Sequence, residues 1–397
     1  MIQAPHRDKL LIAAAFLIGL LTPLLPEPYA ALWGLVPLLA LEAQGRTGSF
    51  LVSFSFYLAL SRGIVPGAYV FFRDGSLIRA LSLWASSAVG LALPYALLYP
   101  AGCSSLAARA ARIVFAVLSS VFPPLGLIGW GSPLVAAGIF FPSLGWNGLL
   151  LLLSLYALAA MQRFRRAFIL VAVALIPFIP LRQPAVPENW KGIDTDFGRL
   201  ASGSGDFDAQ FKRERQVFAE MLRMKRKGEF LSADIILLPE TLIGRMNPTT
   251  RRRWADFLKD LDESKIFIIG AEIPRGQKYD NVMTAFNDPE RQTAIQRCPV
   301  PFSMYRPLSN FGANANIFSF GRKSIMTFSG ERAGCLICYE QFLTWPFLTL
   351  VTLGPKLIAA PANFCWCRET SLPDVRDRTV KLLSALFGVP LLSSVNM

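Results

Sequence analysis

The chain has 397 residues, of which 53% are hydrophobic and 17% are charged, whereas about 25% charged residues is typical of a soluble domain. This composition excludes an ordinary soluble domain. The net charge is +13, but no basic motif interleaved with aromatic residues accompanies it, so direct nucleic-acid binding is not expected. We interpret the basic excess as a topology signal of a membrane protein. The six cysteines do not form the framework of a small secreted protein, so no disulfide is predicted.

Residues 1–182 consist of apolar runs separated by short breaks. Seven consecutive runs without an intervening soluble domain predict an all-α polytopic membrane domain with about seven transmembrane helices. Several runs are shorter than the roughly 20 residues that a span usually needs. The runs cover residues 10–25, 30–41, 50–72, 78–99, 113–141, 148–161 and 167–181.

Basic residues mark alternate loops between these runs, for example Arg163, Arg165 and Arg166 before the seventh. Because basic loops stay in the cytoplasm, seven spans place everything after Leu181 outside the cytoplasmic membrane, which is the periplasm in a bacterium. Arg62 lies inside the third run. It is either a functional intramembrane charge, as in a transporter, or a residue that reaches a headgroup from a helix ending near Ser61.

The apolar runs end at Arg182, and charged residues become frequent after it. Residues 183–205 are rich in Pro, Gly, Ser and Asp, which predicts a linker. In residues 206–397, short β-branched runs alternate with amphipathic stretches, which predicts an α/β domain with a buried sheet. Helices are predicted over 207–227 and 249–262, and strands over 233–238, 265–269, 333–337 and 356–360.

Two polar residues directly follow buried strands, at the edge where active sites of α/β folds gather. Glu240 ends the sequence Leu-Leu-Pro-Glu and is either a general base or a loop acid that caps a helix. Cys338 ends the sequence Gly-Cys-Leu-Ile-Cys. A strand-to-helix turn at this place can expose a nucleophile and offer backbone N–H groups to an oxyanion.

Two other interpretations of Cys338 stay open from the residues alone. A free cysteine is most often a buried structural residue. Zinc binding would need Cys335 and Cys338 together with Cys365 and Cys367. A separation of three residues on a strand points Cys335 and Cys338 to opposite faces, which disfavours a shared metal. We therefore predict no metal site and no cofactor.

Together these segments resemble the carbon–nitrogen hydrolase (nitrilase) superfamily. The Pro-Glu after a strand, the Val-Pro-Phe at 300–302 and the Ile-Cys-Tyr-Glu at 337–340 occur in the order found there. The residues of these motifs are most similar to those of the apolipoprotein N-acyltransferase branch, and the resemblance covers nearly the whole chain. It implies that a C-terminal nitrilase-like domain, an αββα sandwich over 206–397, follows the membrane domain.

The resemblance implies a Glu-Lys-Cys triad with Glu240 as general base and Cys338 as the nucleophile that attacks an acyl carbon. The lysine that should stabilise the oxyanion is missing, and Gln296 and Arg297 stand near its place. Arg297 is predicted to point into the pocket of Cys338 and replace the lysine, unless it is a solvated loop residue. The substrate-binding residues that the resemblance implies are Tyr339, Glu340, Asn363 and Trp366.

Met304 stands where the acyltransferase branch has an acid. This departure and the segments 189–195 and 297–307 resemble a narrower group, the TraB conjugal transfer proteins of conjugative plasmids. The resemblance implies a membrane-bound acyltransferase or amidase with a role in conjugal plasmid transfer. The alternative is a non-catalytic assembly factor with a degenerate hydrolase domain. Expected partners are a membrane lipid, a lipoprotein or a pilin-like substrate, and proteins of the conjugation machinery.

Overall fold

The computed structural model describes residues 4–72, 75–100, 102, 105–161, 176, 180–198, 207–306 and 308–397. Within it, the chain divides into two units. The first comprises Met1–Pro184, Phe342–Trp345 and Cys367–Gly388, and the second comprises Ala185–Gln341, Pro346–Trp366 and Val389–Met397. Two segments from the predicted hydrolase-like region, 342–345 and 367–388, therefore pack within the first unit.

The described part of the first unit is helical, as its apolar sequence predicts. Helix Ala4–Leu21 packs closely on helix Gly45–Leu60 because of Gly19: a Cβ there would lie 2.4 Å from the Phe56 backbone oxygen. The α-helices are Ala4–Leu21, Val36–Glu42, Gly45–Leu60, Ile64–Phe72, Leu77–Leu97, Leu106–Val121, Ala137–Phe140, Gly145–Met161 and Leu372–Phe387. The 3-10 helices are Thr22–Leu24, Glu27–Leu35, Leu125–Ile128 and Pro133–Ala136.

Among the described residues, one helix, Leu77–Leu97, is long and apolar enough to cross a membrane. Two bent helix pairs also qualify if each is counted as one span. They are Gly45–Leu60 with Ile64–Phe72, bent by 52°, and Pro133–Phe140 with Gly145–Met161, bent by 116°. This part of the chain thus offers one to three candidate spans, against about seven predicted. The seventh predicted run, 167–181, lies almost wholly outside the described residues.

Local breaks explain why predicted runs are not single helices. The fifth run, 113–141, is divided because helix Leu106–Val121 ends before Pro123 and Pro124, which cannot continue it. The third run, 50–72, is interrupted after Leu60. Arg62 lies in this interruption, and its Nη1 donates to the Ala59 carbonyl oxygen at 2.9 Å. This placement agrees with the alternative in which the helix ends near Ser61.

The second unit contains two β-sheets. In the first, the strand order is β1 (Trp190–Gly192), β2 (Ile235–Leu237), β3 (Ile266–Arg275), β4 (Lys278–Phe286) and β5 (Thr293–Ile295), and β6 (Gly312–Ala313) pairs with β4. In the second, it is β10 (Leu391–Asn396), β9 (Leu357–Asn363), β8 (Glu331–Cys335) and β7 (Ile325–Phe328). Strands β1 to β3 are parallel, as are β8 to β10, so within each set the carboxyl ends meet at one edge.

Two amphipathic helices, Phe207–Arg226 and Pro248–Asp262, pack on the first sheet. Their apolar side chains, among them Val217 and Trp254, share a core with residues of β2 and β3. These helices and the four predicted strands lie where the sequence predicts them, which confirms an α/β region. Strand β1 lies inside the segment 183–205 that was predicted to be a linker, because three residues are too few to show a period.

Candidate active site

Cys338 lies on a strained turn directly after strand β8 and its two-residue extension. Its φ is 51°, in the left-handed region that costs a non-glycine residue energy, and such strain clusters at functional sites. Two neighbouring side chains hold this turn. The Glu340 carboxylate accepts the Ile337 N–H at 2.9 Å, and Gln341 Nε2 donates to the Leu336 carbonyl oxygen at 2.6 Å. The sulfur is thus presented by a turn that its own sequence neighbours stabilise.

Glu240 follows strand β2, is buried, and is hydrogen-bonded to the Cys338 side chain. Its Oε1 accepts from Asn281 Nδ2 at 2.6 Å, and its Oε2 accepts from the Asn363 N–H at 3.1 Å. Burial raises the pKa of Glu240 from 4.5 to about 7, although the hydrogen bonds act in the opposite direction. The carboxyl group therefore changes its charge near neutral pH, beside the thiol.

The loop that carries Glu240 is fixed by close contact with strand β3. Gly270 of β3 accommodates it, because a Cβ there would lie 2.3 Å from the Thr241 nitrogen. The Gly270 N–H also donates to the Pro239 carbonyl oxygen at 3.1 Å. On the other side, the Arg213 guanidinium donates to the carbonyl oxygens of Thr241 and, at 3.1 Å, Leu242. The position of the carboxylate is thus determined by backbone contacts as well as by its own hydrogen bonds.

A chain of neutral amides links Glu240 to the Cys338 turn. Asn281 Nδ2, which donates to Glu240, also donates to Gln296 Oε1 at 3.0 Å. Gln296 Nε2 in turn donates to the carbonyl oxygen of Ile337 at 2.8 Å, next to Cys338. Both amide side chains are buried. Of the two residues at the expected place of the lysine, Gln296 is therefore the one that this arrangement brings to the Glu240–Cys338 pair.

The position of Arg297 agrees with neither of the two alternatives from the sequence, a residue that points into the Cys338 pocket or a solvated loop residue. It is fully buried, so it is not a solvated loop residue. Its Nη1 donates to Thr349 Oγ1 at 2.6 Å, its Nη2 to the Pro346 carbonyl oxygen at 2.9 Å, and its Nε lies 3.4 Å from Glu340 Oε1. The predicted direction toward the Cys338 pocket is wrong, because a buried guanidinium requires a buried carboxylate and Glu340 supplies it.

The four residues expected to bind substrate have different surroundings. Glu340 is fully buried and is occupied by Arg297 and by the backbone of the Cys338 turn. Asn363 supplies its N–H to Glu240, and its side chain donates to Thr241 Oγ1 at 3.3 Å. Tyr339 is buried, and Trp366 is half-buried. Glu340 and Asn363 therefore position the candidate catalytic groups, and substrate binding by all four residues stays a prediction.

No disulfide joins the cysteines of the described residues, which are Cys298, Cys335, Cys338, Cys365 and Cys367. In this part of the chain, no three His, Cys, Asp or Glu side chains are grouped closely enough to hold a metal ion. Burial raises the pKa of the Cys298 and Cys335 thiols well above their ordinary range, as expected for structural cysteines. Cys338 differs from these two cysteines because its side chain is hydrogen-bonded to Glu240.

Sequence reasoning missed Asn281, because a single asparagine inside strand β4 gives no recognisable signal. Gln296 could be found only by its spacing from the Val-Pro-Phe motif, which did not separate it from Arg297.

The geometry as a whole has a clear chemical meaning. A thiol hydrogen-bonded to a buried carboxyl group that titrates near neutral pH can be deprotonated and attack a carbonyl carbon. Fold and site thus define the class: an α/β protein with a cysteine–glutamate pair.

No protein-family model matches the chain. Two curated proteins are similar to it over most of their length. The conjugal transfer protein TraB of Agrobacterium fabrum is 30% identical over 381 residues, which cover 91% of this chain and 86% of that protein. The probable conjugal transfer protein TraB of Sinorhizobium fredii is 29% identical over 372 residues, covering 91% and 90%. The chain belongs to the family of conjugal transfer protein TraB.

Similar solved structures include amidases from Nesterenkonia. A mutant of the Nesterenkonia AN1 amidase from the nitrilase superfamily has a TM-score of 0.36 and 12% identity, covering 54% of this chain and 78% of that one. An amidase from Nesterenkonia sp. has a TM-score of 0.35 and 14% identity, with 54% and 78% coverage.

Proposed function

We propose that this TraB-family protein is a membrane-bound acyltransferase or amidase that acts through a Cys338 thioester and serves conjugal plasmid transfer. The observation that supports this most is the hydrogen bond between Cys338 and the buried Glu240 on a strained turn. In the proposed reaction, Glu240 takes the thiol proton and the sulfur attacks the acyl carbon of an ester or amide. The proton then passes to the leaving alcohol or amine, and a second nucleophile releases the acyl group from sulfur.

The pH dependence of Cys338 reactivity tests the role of Glu240 as base. Because the pKa of Glu240 is about 7, the rate of Cys338 alkylation by iodoacetamide should rise as the pH increases through that value. The raised pKa means that the folded state binds this proton more tightly than the unfolded state. The contribution of this proton to the free energy of unfolding is fully present below pH 4.5 and is lost as the pH rises through about 7. In Glu240→Gln, the inflection in the alkylation rate near 7 should disappear; an unchanged profile would contradict the assignment.

A second candidate function is a non-catalytic assembly factor for the conjugation machinery. The observation that favours it is the neutral Gln296 beside the Glu240–Cys338 pair, where a lysine would stabilise an oxyanion. Under this alternative, the cysteine and the carboxylate are retained for structure, and partners bind elsewhere on the protein.

The variant Gln296→Lys separates the two functions. If the site is catalytic, an ammonium at this position should increase amide or ester cleavage, since one well-aimed donor contributes about 2.7–4 kcal/mol to an oxyanion. Gln296→Met, which is similar in length and has no donor, is the matched control and should not increase the rate. Cleavage that stays at background in Gln296→Lys, with the variant folded, would favour the assembly factor.

The membrane part of the proposal rests on the apolar N-terminal sequence and on helix Leu77–Leu97. It comprises a membrane domain of about seven spans over 1–182, a linker over 183–205 and a hydrolase-like domain over 206–397 in the periplasm. An alkaline phosphatase fused after Met397 should then be active, because this enzyme needs the periplasm to fold. A fusion after Arg46 should be inactive. An inactive C-terminal fusion, with the fusion protein present in the membrane, would contradict the orientation and the span count.

A further inference from the structure

Exposed apolar side chains of the second unit are concentrated in one segment, residues 302–320. Among its described residues, eight large hydrophobic side chains are exposed, and five of them lie here. They are Phe302, Leu308, Phe311, Phe318 and Phe320. We call residues 302–320 the aromatic segment. Phe318 is 84% exposed. Exposed apolar groups at this density mark a surface that binds a protein or a membrane.

The backbone of the aromatic segment is strained where two of its phenylalanines stand. Phe302 has a φ of 60° and Phe320 a φ of 48°, in a region that bulky residues rarely adopt. Elsewhere in the unit, the exposed Phe211 is covered by the guanidinium groups of Arg215 and Arg253. The strained backbone at Phe302 and Phe320 costs free energy, and the exposed rings gain no burial in the isolated unit that would offset this cost. We therefore expect an external partner to bury these rings.

The charge of this region identifies the partner. No Asp or Glu occurs between Glu290 and Glu331 in the sequence. The exposed charged residues of this sequence stretch include the cations of Arg306, Arg322 and Lys323. In the structure, Asp280 accepts from Asn314 Nδ2 of this segment at 2.8 Å, but this carboxylate is buried and paired with Arg275. Exposed aromatic rings with exposed basic side chains fit the interface of an anionic lipid bilayer, where rings enter the headgroup region and cations pair with lipid phosphates. The same chain carries helix Leu77–Leu97, which is long and apolar enough to cross a membrane. On the membrane location of the proposed function, on which this step rests, a bilayer is an apolar partner within the protein's surroundings.

The segment is anchored next to the candidate active site. Asn316, two residues before Phe318, donates its N–H to the Arg297 carbonyl oxygen at 2.8 Å. Arg297 in turn pairs with Glu340, which holds the turn of Cys338. A surface bound by the aromatic segment would therefore lie beside the Glu240–Cys338 pair.

We propose that the aromatic segment, with Arg306, Arg322 and Lys323, binds the surface of an anionic lipid bilayer. The inference does not depend on catalysis by Cys338. It assigns to this segment a binding function that the TraB family relationship does not supply.

Tryptophan reporters in the full-length protein test the proposal. Phe318→Trp places an indole in the aromatic segment, and Leu231→Trp places one at an equally exposed apolar position elsewhere in the same unit, 82% exposed. Each variant is reconstituted in nanodiscs of phosphatidylcholine with phosphatidylglycerol, with or without brominated acyl chains. The signal of the natural protein, with its eight tryptophans, is subtracted. We expect bromine to quench the Phe318→Trp indole several-fold more than the Leu231→Trp indole.

The role of charge is tested with Arg322→Glu and Lys323→Glu in the Phe318→Trp background. Quenching should fall in nanodiscs with phosphatidylglycerol and change little in phosphatidylcholine alone. Equal quenching of the two reporters would overturn the proposal. So would protection of backbone amides 308–320 from hydrogen exchange that grows with protein concentration in lipid-free detergent, because it would identify a second copy of this chain as the partner. The same quenching in Cys338→Ser would separate bilayer binding from the proposed acyl transfer.

Discussion

Replacing Cys338 by serine is expected to abolish acyl transfer or amide cleavage and to reduce plasmid transfer to the level of cells without this protein. The Glu240 side chain is hydrogen-bonded to the Cys338 thiol, and a serine hydroxyl at the same place is a far weaker acid than a thiol. Loss of a catalytic nucleophile typically costs on the order of 10⁶-fold in rate. The measurement is conjugation frequency from donor cells that carry the variant, together with hydrolysis of model amides and esters by the purified protein.

Cys365→Ser is the matched control, because Cys365 is a half-buried cysteine that follows β9, the strand beside β8. It should transfer plasmids at the natural frequency. If Cys338→Ser transfers equally well while present at normal abundance, the thiol is not used, and the assembly-factor alternative is correct.

Removing the guanidinium of Arg297 is expected to have the largest effect on stability. Arg297 and Glu340 form an ion pair that is fully buried on both sides, with 3.4 Å between Nε and Oε1. Loss of one partner of such a pair leaves an uncompensated charge and typically costs about 3–5 kcal/mol. Arg297→Met should therefore lower the free energy of unfolding strongly, measured by denaturant titration of the detergent-solubilised protein.

Two further variants identify the cause. Arg252→Met removes one partner of an exposed pair with Asp256 and should hardly change stability. Arg297→Met combined with Glu340→Gln should be less destabilised than the sum of the single variants, because neither retains an unpaired charge. An Arg297→Met variant that unfolds like the natural protein but has lost its activity would show instead that the guanidinium acts on substrate.

The α/β region and the positions of Glu240 and Cys338 after strands were predictable because their signals are local. Apolar runs that end in Pro-Glu or Ile-Cys place Glu240 after β2 of the first sheet and Cys338 after β8 of the second. The hydrogen bond between them joins residues that follow strands of two different sheets, and the sequence carries no pattern for that contact. The membrane-like part was less predictable, because apolar composition does not locate helix breaks such as those at Arg62 and Pro123.

The environment of the pair could not be predicted, because it depends on contacts between residues far apart in sequence. Gln296 and Arg297 are adjacent and both polar, and only the packing around Glu340 decides which one points toward Glu240. Asn281 and Gly270 act through the register of strands β3 and β4, and the sequence carries no pattern for that register. Charge compensation in the interior is thus a tertiary property that motif spacing does not reveal.

Mass spectrometry of peptides from the acylated protein tests most directly whether Cys338 forms a thioester. The protein in detergent is incubated with activated short-chain esters, with lipid extracts and with lipoprotein peptides, acid-quenched and digested. We predict one added acyl group on the peptide that contains Cys338, removable by neutral hydroxylamine and absent from Cys338→Ser. Glu240→Gln should acquire it much more slowly. Acylation spread over the other cysteines, or none at Cys338 with any of these donors, would contradict the account.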